Sequence, residues 1–581
     1  MGALRRTVAD DLLEVLVQAG VQRIYGLVGD SLNAFSDAVR RDGRVEWVHV
    51  HNEEAAAFAA SAEAQLTGRL AVCAGSCGPG NTHLIQGVMD AHRSGAPVLA
   101  LASHIASRQI GTGYFQETKP EALFAQTSHY CETVAHPNQV VRLARSAIQS
   151  AVLDRGAAVL VLPGDILADH SSGRPAGNVT IVAGSRRVPD EGAITELVER
   201  IGNAERIAIF GGIGCADARE RVLRLAERLC APIGHTLRGK EILQYDNPYD
   251  VGMTGLLGYG ACYEALHAAD LVLLLGTDFP YDDFLPEHNN IQIDLAAVRL
   301  GRRAPLAQGI VADIGAALDA LLPRLPQRTD RTFLDEMLHA HHRALRHSID
   351  TYSTHIATHR PIHPEHLAAL VDEFAAADAV FTVDTGMCCT WAARYLTPNG
   401  RRRLIGSFVH GSMANALPMA IGAQVSHPGR QVVSLSGDGG LAMLLGELLT
   451  VKTHRLPVKV VVFNNSSLAM VRLEMMVAGD PPFETDHDEV DYAAIAAAAG
   501  FYTRRVTEPG ELRAAVRAVF EHDGPALLDV VTTPDALEVP SHLTVEEARG
   551  FALTLGKTVL SGGIGEVVEM AQLNLRNIPR P

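Results

Sequence analysis

The chain has 581 residues, 47% hydrophobic and 20% charged, with 50 Lys and Arg against 66 Asp and Glu for a formal net charge of −16. That balance supplies apolar material for about three or four domains, and so negative a chain repels phosphate backbones, which argues against a nucleic-acid partner. Eight cysteines are too sparse for a disulfide scaffold, no charged-then-apolar leader opens the chain, and no run reaches the ~18 apolar residues of a membrane span, so a cytoplasmic protein is expected.

In chain order, the first element is a helix over 7–20. Thr7 with Asp10 three positions on is a capping pattern, Leu12, Leu13, Leu16 and Val17 supply an apolar face, and Gly20 ends it. Short apolar runs then alternate with helical stretches. RIYGLVG (23–29), RLAVCAG (69–75), APVLALAS (96–103) and AAVLVLPGD (157–165) predict buried strands of a parallel α/β sheet. A polar, glycine-rich stretch at about 171–190 predicts a linker. A second α/β unit follows with strands at 207–210, 271–276 and 290–294, and a charged, His-rich helical stretch leads to a third with strands at 379–384, 431–439, 458–465 and 526–531. The expected organisation is three consecutive parallel-sheet α/β domains, 1–175, 190–330 and 355–540, followed by a tail at 541–581.

The strongest local signal is GDGG at 437–440, at the end of one apolar strand, with Asn464-Asn465 closing the next. Asp438 and Asn465 are 27 residues apart, and a carboxylate and an amide oxygen at adjacent strand ends can share one Mg²⁺ while the glycines admit a diphosphate to the backbone. A tight Asp-Gly turn beside a polar strand end is the plainer reading of GDG alone. GGIGCAD at 211–217 offers Gly212 and Gly214 after a strand but lacks the third glycine of a dinucleotide fingerprint. Cys73 and Cys77, and the adjacent Cys388 and Cys389, match no zinc spacing and are read as structural thiols.

The GDG and Asn-Asn pair resembles the thiamine-diphosphate motif, and the likeness runs along the chain: GLVGDSLN (26–33), HNEEAAAFAASAEAQLTG (51–68), CAGSCGPGN (73–81), GYFQET (113–118), LRGKE (237–241), NPYDVGMTGLLG (247–258), GTDFPY (276–281), WAARYL (391–396) and HGSMANALP (410–418). Together these resemble the acetolactate synthase, pyruvate oxidase and pyruvate decarboxylase family, and within it the quinone-linked pyruvate dehydrogenases. The resemblance implies a thiamine-diphosphate-binding fold used twice, flanking a Rossmann-like FAD domain.

It also implies roles. Glu53, rather than Glu54, is the acid that hydrogen-bonds the aminopyrimidine; Met413 props the cofactor into its bent shape, with Gly411 and Ser412 beside it. Asp384, Thr385 and Gly386 lie by the diphosphate, as do Gly439, Gly440 and the run Ser466, Ser467, Leu468, Ala469, Met470 and Val471, and the Mg²⁺ ligands are Asp438, Asn465 and the Ser467 carbonyl. Phe115 and Gln116 approach the reacting carbon from a neighbouring subunit. FAD is expected at Gly212, Gly214, Thr254, Gly255, Leu256, Leu257, Thr277, Asp278, Phe279, Pro280 and Tyr281, with Asp294 accepting from a ribose hydroxyl.

The activity so implied is oxidative decarboxylation of pyruvate or a similar 2-oxo acid to acetate and CO₂, with electrons passing through FAD to a membrane quinone. A carboligase of the acetolactate synthase type with structural FAD, an oxidase using O₂ and phosphate, and a non-catalytic relative are the rival readings. A homotetramer with active sites between subunits is expected, peripheral on the inner face of the cytoplasmic membrane through a helical stripe of Ile564, Val567, Val568, Ala571 and Leu575 in the tail. Two stretches depart from the family: Ala469-Met470 followed by Arg472 where an aromatic is usual, and Met387-Cys388-Cys389 beside the diphosphate, the latter a possible change in pocket shape or oxidation sensitivity.

Overall fold

A computed structural model describes residues 6–171, 186–355, 357–536 and 553–554, with the backbone alone at 347–355. The capped helix forms as Val8–Gln18: Asp10 N–H donates to Thr7 Oγ1 at 3.3 Å, and Thr7 N–H donates back to Asp10 Oδ2 at 2.7 Å. The linker at 172–185 and the apolar stripe of the tail lie outside the described residues.

Three sheets follow along the chain. The first holds β1 (Arg23–Gly26), β2 (Glu46–His49), β3 (Ala71–Gly75), β4 (Val98–His104), β5 (Tyr130–Thr133) and β6 (Ala157–Pro163) in the order β2-β1-β3-β4-β6-β5, every pair parallel. The second holds β7 (Ile207–Gly211), β8 (Ile233–His235), β9 (Asp250–Met253), β10 (Tyr259–Gly260), β11 (Leu271–Leu275), β12 (Asn290–Asp294) and β13 (Leu306–Val311) in the order β10-β9-β8-β7-β11-β12-β13. Here the expectation of a purely parallel sheet is corrected: β10 runs antiparallel to β9, because the short loop after Met253 turns straight back where a parallel return needs a long crossover.

The third holds β14 (Val380–Val383), β15 (Arg403–Gly406), β16 (Val432–Gly437), β17 (Lys459–Asn464), β18 (Tyr502–Val506) and β19 (Ala526–Val531) in the order β15-β14-β16-β17-β19-β18, all parallel, which repeats the first sheet strand for strand. In each sheet the chain first builds outward on one side and then crosses to the other, leaving a switch point between β1 and β3, between β7 and β11, and between β14 and β16. Ligands of open α/β sheets bind at the carboxyl ends of the strands at such points.

The alanine-rich motif at 53–67 forms a helix buried almost all round. Its small side chains admit close crossings on two sides. A Cβ at Gly87 of the Pro79–Ser94 helix would fall 2.6 Å from Ala57 Cβ, and one at Gly422 of the Ala416–Ser426 helix would fall 2.1 Å from the Ala59 carbonyl oxygen. This helix therefore joins the first and third domains, and its own N-terminus carries Glu53.

Candidate active site

At the switch point of the third sheet, β14 is followed by Asp384-Thr385-Gly386 and β16 closes on Gly437 with Asp438 next. Asp384 is fully buried. Asn415 donates to its Oδ1 from both the backbone N–H and the side-chain amide, each at 3.1 Å, while Oδ2 is buried without a partner. Burial raises this carboxyl to about 7. Gly440 is obligatory opposite it, since a Cβ there would fall 1.9 Å from Asp384 Oδ2.

Thr385 Oγ1 donates to the Ser412 carbonyl at 2.8 Å and Ser412 N–H donates to Ser407 Oγ at 3.0 Å, so the loop carrying Gly411, Ser412 and Met413 is tied down to the strand ends. The Met413 Cε methyl approaches within 3.6 Å of where a Gly439 Cβ would stand. Gly411 has φ +78°, Ala414 +68° and Ser466 +53°, and left-handed backbone at the last two, which carry a Cβ, is the kind of strain that functional turns retain.

Asp438 bridges the ends of β16 and β17. Its Oδ1 accepts from Gly439 N–H at 2.9 Å, and its Oδ2 accepts from Ser466 N–H at 2.6 Å and lies 3.2 Å from His487 Nε2. Burial raises its pKa above the ordinary carboxylate value. Asn465 Oδ1 accepts from Ser467 N–H at 3.1 Å, and Ser467 Oγ donates to Asp486 Oδ1 at 2.8 Å. One carboxylate after β16, and one amide oxygen and the Ser467 carbonyl after β17, thus stand at adjacent strand ends, the hard oxygen types that suit Mg²⁺. Among the described residues no group of three or more His, Cys, Asp or Glu forms a competing metal site. Leu468 caps the Ala469–Ala478 helix; Ala469 is buried, Met470 packs on the third domain's core, and Val471 is partly exposed. Arg472 is tied to Asp535 at 3.3 Å rather than aimed into the site.

In the first domain Glu53 is buried, with Oε2 2.9 Å from His83 Nδ1 and Oε1 2.9 Å from where a Gly80 Cβ would lie, while Glu54 is half-buried to one side. One turn beyond His83, Gln86 Nε2 donates to Ser412 Oγ at 2.9 Å and Gln86 Oε1 lies 3.3 Å from His410 Nε2. The Pro79–Ser94 helix therefore links the Glu53 end of one domain to the Ser412–Met413 loop of another. Gln116 (φ +63°) packs on Gly78, whereas Phe115 projects outward at 78% exposure beside half-exposed Tyr114. His83, Gln86, Asn415, Asp486 and His487 are absent from the sequence-based expectation; each becomes visible only through partners far away in the chain.

In the middle domain the β7 and β11 turns meet closely. A Cβ at Gly212 would fall 2.6 Å from the Gly276 carbonyl and one at Gly214 2.6 Å from Gly276 Cα, so both glycines are needed for chain-to-chain contact. Thr254 Oγ1 is buried without a partner, Gly255 has φ +101° against the Phe279 and Tyr281 rings, and Leu256 and Tyr281 stand at the surface. Leu257 packs inward, Phe279 meets Phe210 edge-on at 5.2 Å, and Thr277 is buried. Asp278 is ringed by Arg302 at 3.1 Å, Arg303 at 3.7 Å and Arg299 at 3.9 Å, and Asp294 Oδ1 accepts from Ala296 N–H at 2.8 Å. The partnerless Thr254 hydroxyl and Asp294 at a strand end are polar groups of the kind a dinucleotide uses, whereas Gly212 and Gly214 are taken up by the contact with Gly276.

Cys388 and Cys389 are buried, and burial pushes both thiols up, Cys389 to about 12. Low thiolate content and lack of access remove the oxidation sensitivity the sequence suggested.

These features define an α/β protein whose first and third domains repeat one strand order around a different middle domain. Three family models match in order: the N-terminal thiamine pyrophosphate binding domain over residues 6–123, the thiamine pyrophosphate enzyme central domain over 194–321, and the C-terminal thiamine pyrophosphate binding domain over 384–530. The chain belongs to the thiamine pyrophosphate enzyme family. It is 34% identical to YdaP of Bacillus subtilis, whose name describes it as thiamine pyrophosphate-containing, over 94% of this chain and 95% of that protein. It is 29% identical to the pyruvate oxidase of Lactiplantibacillus plantarum over 90% or more of each chain, and 29% identical to the chloroplastic acetolactate synthase 1 of rice, over 90% of this chain and 84% of that one.

Proposed function

We propose that this member of the 2-oxo acid decarboxylase, oxidase and synthase family oxidatively decarboxylates pyruvate or a similar 2-oxo acid, using thiamine diphosphate, Mg²⁺ and FAD, and delivers the electrons to a quinone. The observation that carries the reading is the set of Asp438 and Asn465 oxygens at adjacent strand ends, joined by the partnerless Thr254 hydroxyl and Asp294 in the middle domain. Thiamine diphosphate supplies the electron sink for decarboxylation.

The chain's own residues do the rest. Asp438, Asn465 and the Ser467 carbonyl would hold the metal that neutralises the diphosphate, with the left-handed Ser466 turn setting their spacing. Met413, held near Gly439 by the loop's bonds to Asp384 and Thr385, would line the thiamine diphosphate site. Glu53, buried at a helix N-terminus, would be the carboxylate that exchanges a proton with the aminopyrimidine. Phe115, exposed in the single chain, suits a site completed by a second subunit of a homotetramer. A membrane-docking tail belongs to the same reading; among the described residues no helix is long and apolar enough to cross a membrane.

The equal identity to an acetolactate synthase favours one rival, a carboligase whose flavin stays oxidised. An anaerobic stopped-flow flavin spectrum separates them. Bleaching by pyruvate, reversed by ubiquinone or menaquinone faster than by air with phosphate, is the expected result. A flavin that stays oxidised while acetolactate accumulates overturns the proposal.

A further inference from the structure

A carboxylate of the third domain reaches into the first, immediately beside Glu53. Glu447 opens the Glu447–Thr453 helix and is 1% exposed. Its Oε1 accepts from the His51 backbone N–H at 3.1 Å, and its Oε2 accepts from Thr450 Oγ1 at 2.6 Å, while His51 Nδ1 lies 2.8 Å from that same Thr450 oxygen. Since the Thr450 hydroxyl spends its only proton on Glu447, its oxygen must accept from His51, which places the imidazole proton on Nδ1. The result is a closed ring of three bonds spanning two domains.

The Asn52 backbone N–H also donates to Glu447, and one turn along, His454 Nε2 lies 2.9 Å from the His49 carbonyl. His49 is the last residue of β2, and His51 and Asn52 belong to the short link between it and the helix whose first residue is Glu53. Burial, together with the neighbouring Glu53 carboxylate, pushes the Glu447 carboxyl up to about 7 against those hydrogen bonds.

We propose that Glu447 is a positioning residue for Glu53: from the domain that carries the metal turn, it grips the His51–Asn52 backbone and so fixes where the Glu53 carboxylate stands. A carboxylate is required because the site offers only donors, two adjacent backbone N–H groups and a hydroxyl. Glutamine would keep one acceptor but set an NH₂ against them. The proposal rests on the reading of Glu53 as the acid that acts on the aminopyrimidine.

The test uses the full-length enzyme with Glu447→Gln, Glu53→Gln and the double variant, with Thr450→Val as a milder probe if Glu447→Gln does not fold. Two quantities are read: amide hydrogen exchange of the peptide covering 49–54 in cofactor-free protein, and the quenched-flow NMR rate of C2 proton exchange on bound thiamine diphosphate. Glu447→Gln should speed amide exchange in that peptide alone and slow C2 exchange ~10- to ~100-fold, as a displaced catalytic group does, with unchanged cofactor affinity. Added to Glu53→Gln it should cost nothing further. Unchanged C2 exchange in Glu447→Gln, or losses that multiply in the double variant, overturns the positioning role. Full C2 exchange in Glu53→Gln overturns the Glu53 reading, and this proposal with it; that outcome is recognisable because it needs no Glu447 variant.

Discussion

The first and third domains approach backbone to backbone at Gly422, and replacing it by alanine tests whether that crossing holds the two halves of the site. The new Cβ would lie 2.1 Å from the Ala59 carbonyl oxygen and 2.7 Å from Ala59 Cα. Both are rigid helix backbone, so no rotamer change relieves the overlap, and the helices must separate by roughly 1 Å to restore a van der Waals distance. Overpacking of this kind costs ~1–3 kcal/mol or more, and a gap of that size forfeits about a quarter to a half of the dispersion energy of every contact along the crossing. Phe58, Ala62 and Leu417, all buried in the shared core, lie along it. The expected loss is therefore about 3 kcal/mol, read by differential scanning calorimetry as a fall of several degrees in the transition that includes these two domains. The displacement also acts on function: the Gln86 to Ser412 bond and the Glu447 to His51 bond cross the same interface, so thiamine diphosphate affinity and turnover should fall together. A Gly422→Ala enzyme with an unchanged transition and unchanged cofactor affinity would refute the reasoning.

Three further outcomes follow from the site. Asp438→Ala should abolish thiamine diphosphate retention in isothermal titration, with little rescue by excess Mg²⁺, because the diphosphate then meets the glycine turn without a bridging cation. His487→Ala, which removes the ring 3.2 Å from Asp438 Oδ2, should weaken Mg²⁺ binding about tenfold, as loss of a partner orienting a metal ligand does, while leaving the thermal transition in place. Asp384 has a folded-state pKa of about 7 against an ordinary 3.8, so its stabilising contribution is fully present below pH 4 and is lost as the pH rises through 7. Within that window the loss is about 1.4 kcal/mol per pH unit. Asp384→Asn removes it, so the midpoint of the cofactor-free variant minus that of the wild type should climb between pH 4 and pH 7 and level off above; a difference that falls with pH contradicts the burial argument.

What the sequence determined by itself was the doubled α/β layout and the chemistry of its turns. The central strands are buried on both faces, so they appear as unbroken apolar runs: Asn290–Asp294 and Ala526–Val531 form on the residues read from the pattern, and β3, β4, β6, β11 and β17 fall within a residue or two of it. Capping at Thr7 and Asp10 was equally legible, because both partners lie within one helical turn. The edge strands β2, β5, β10, β13, β15 and β18 were not, since one side of each lacks a neighbouring strand and polar residues such as those of Glu46–His49 and Tyr502–Val506 satisfy it, and the interior strands β8 and β9 were missed as well because they are only three and four residues long and carry Gly, His or Asp. Tertiary structure alone decided which groups surround the site. Gln86 and Ser412 are 326 residues apart and His51 and Glu447 are 396, and no local pattern encodes a contact at such separations. The same holds for the burial that raises Asp384 and Glu447 and silences Cys388 and Cys389: how completely a side chain is removed from water depends on how three domains close on one another.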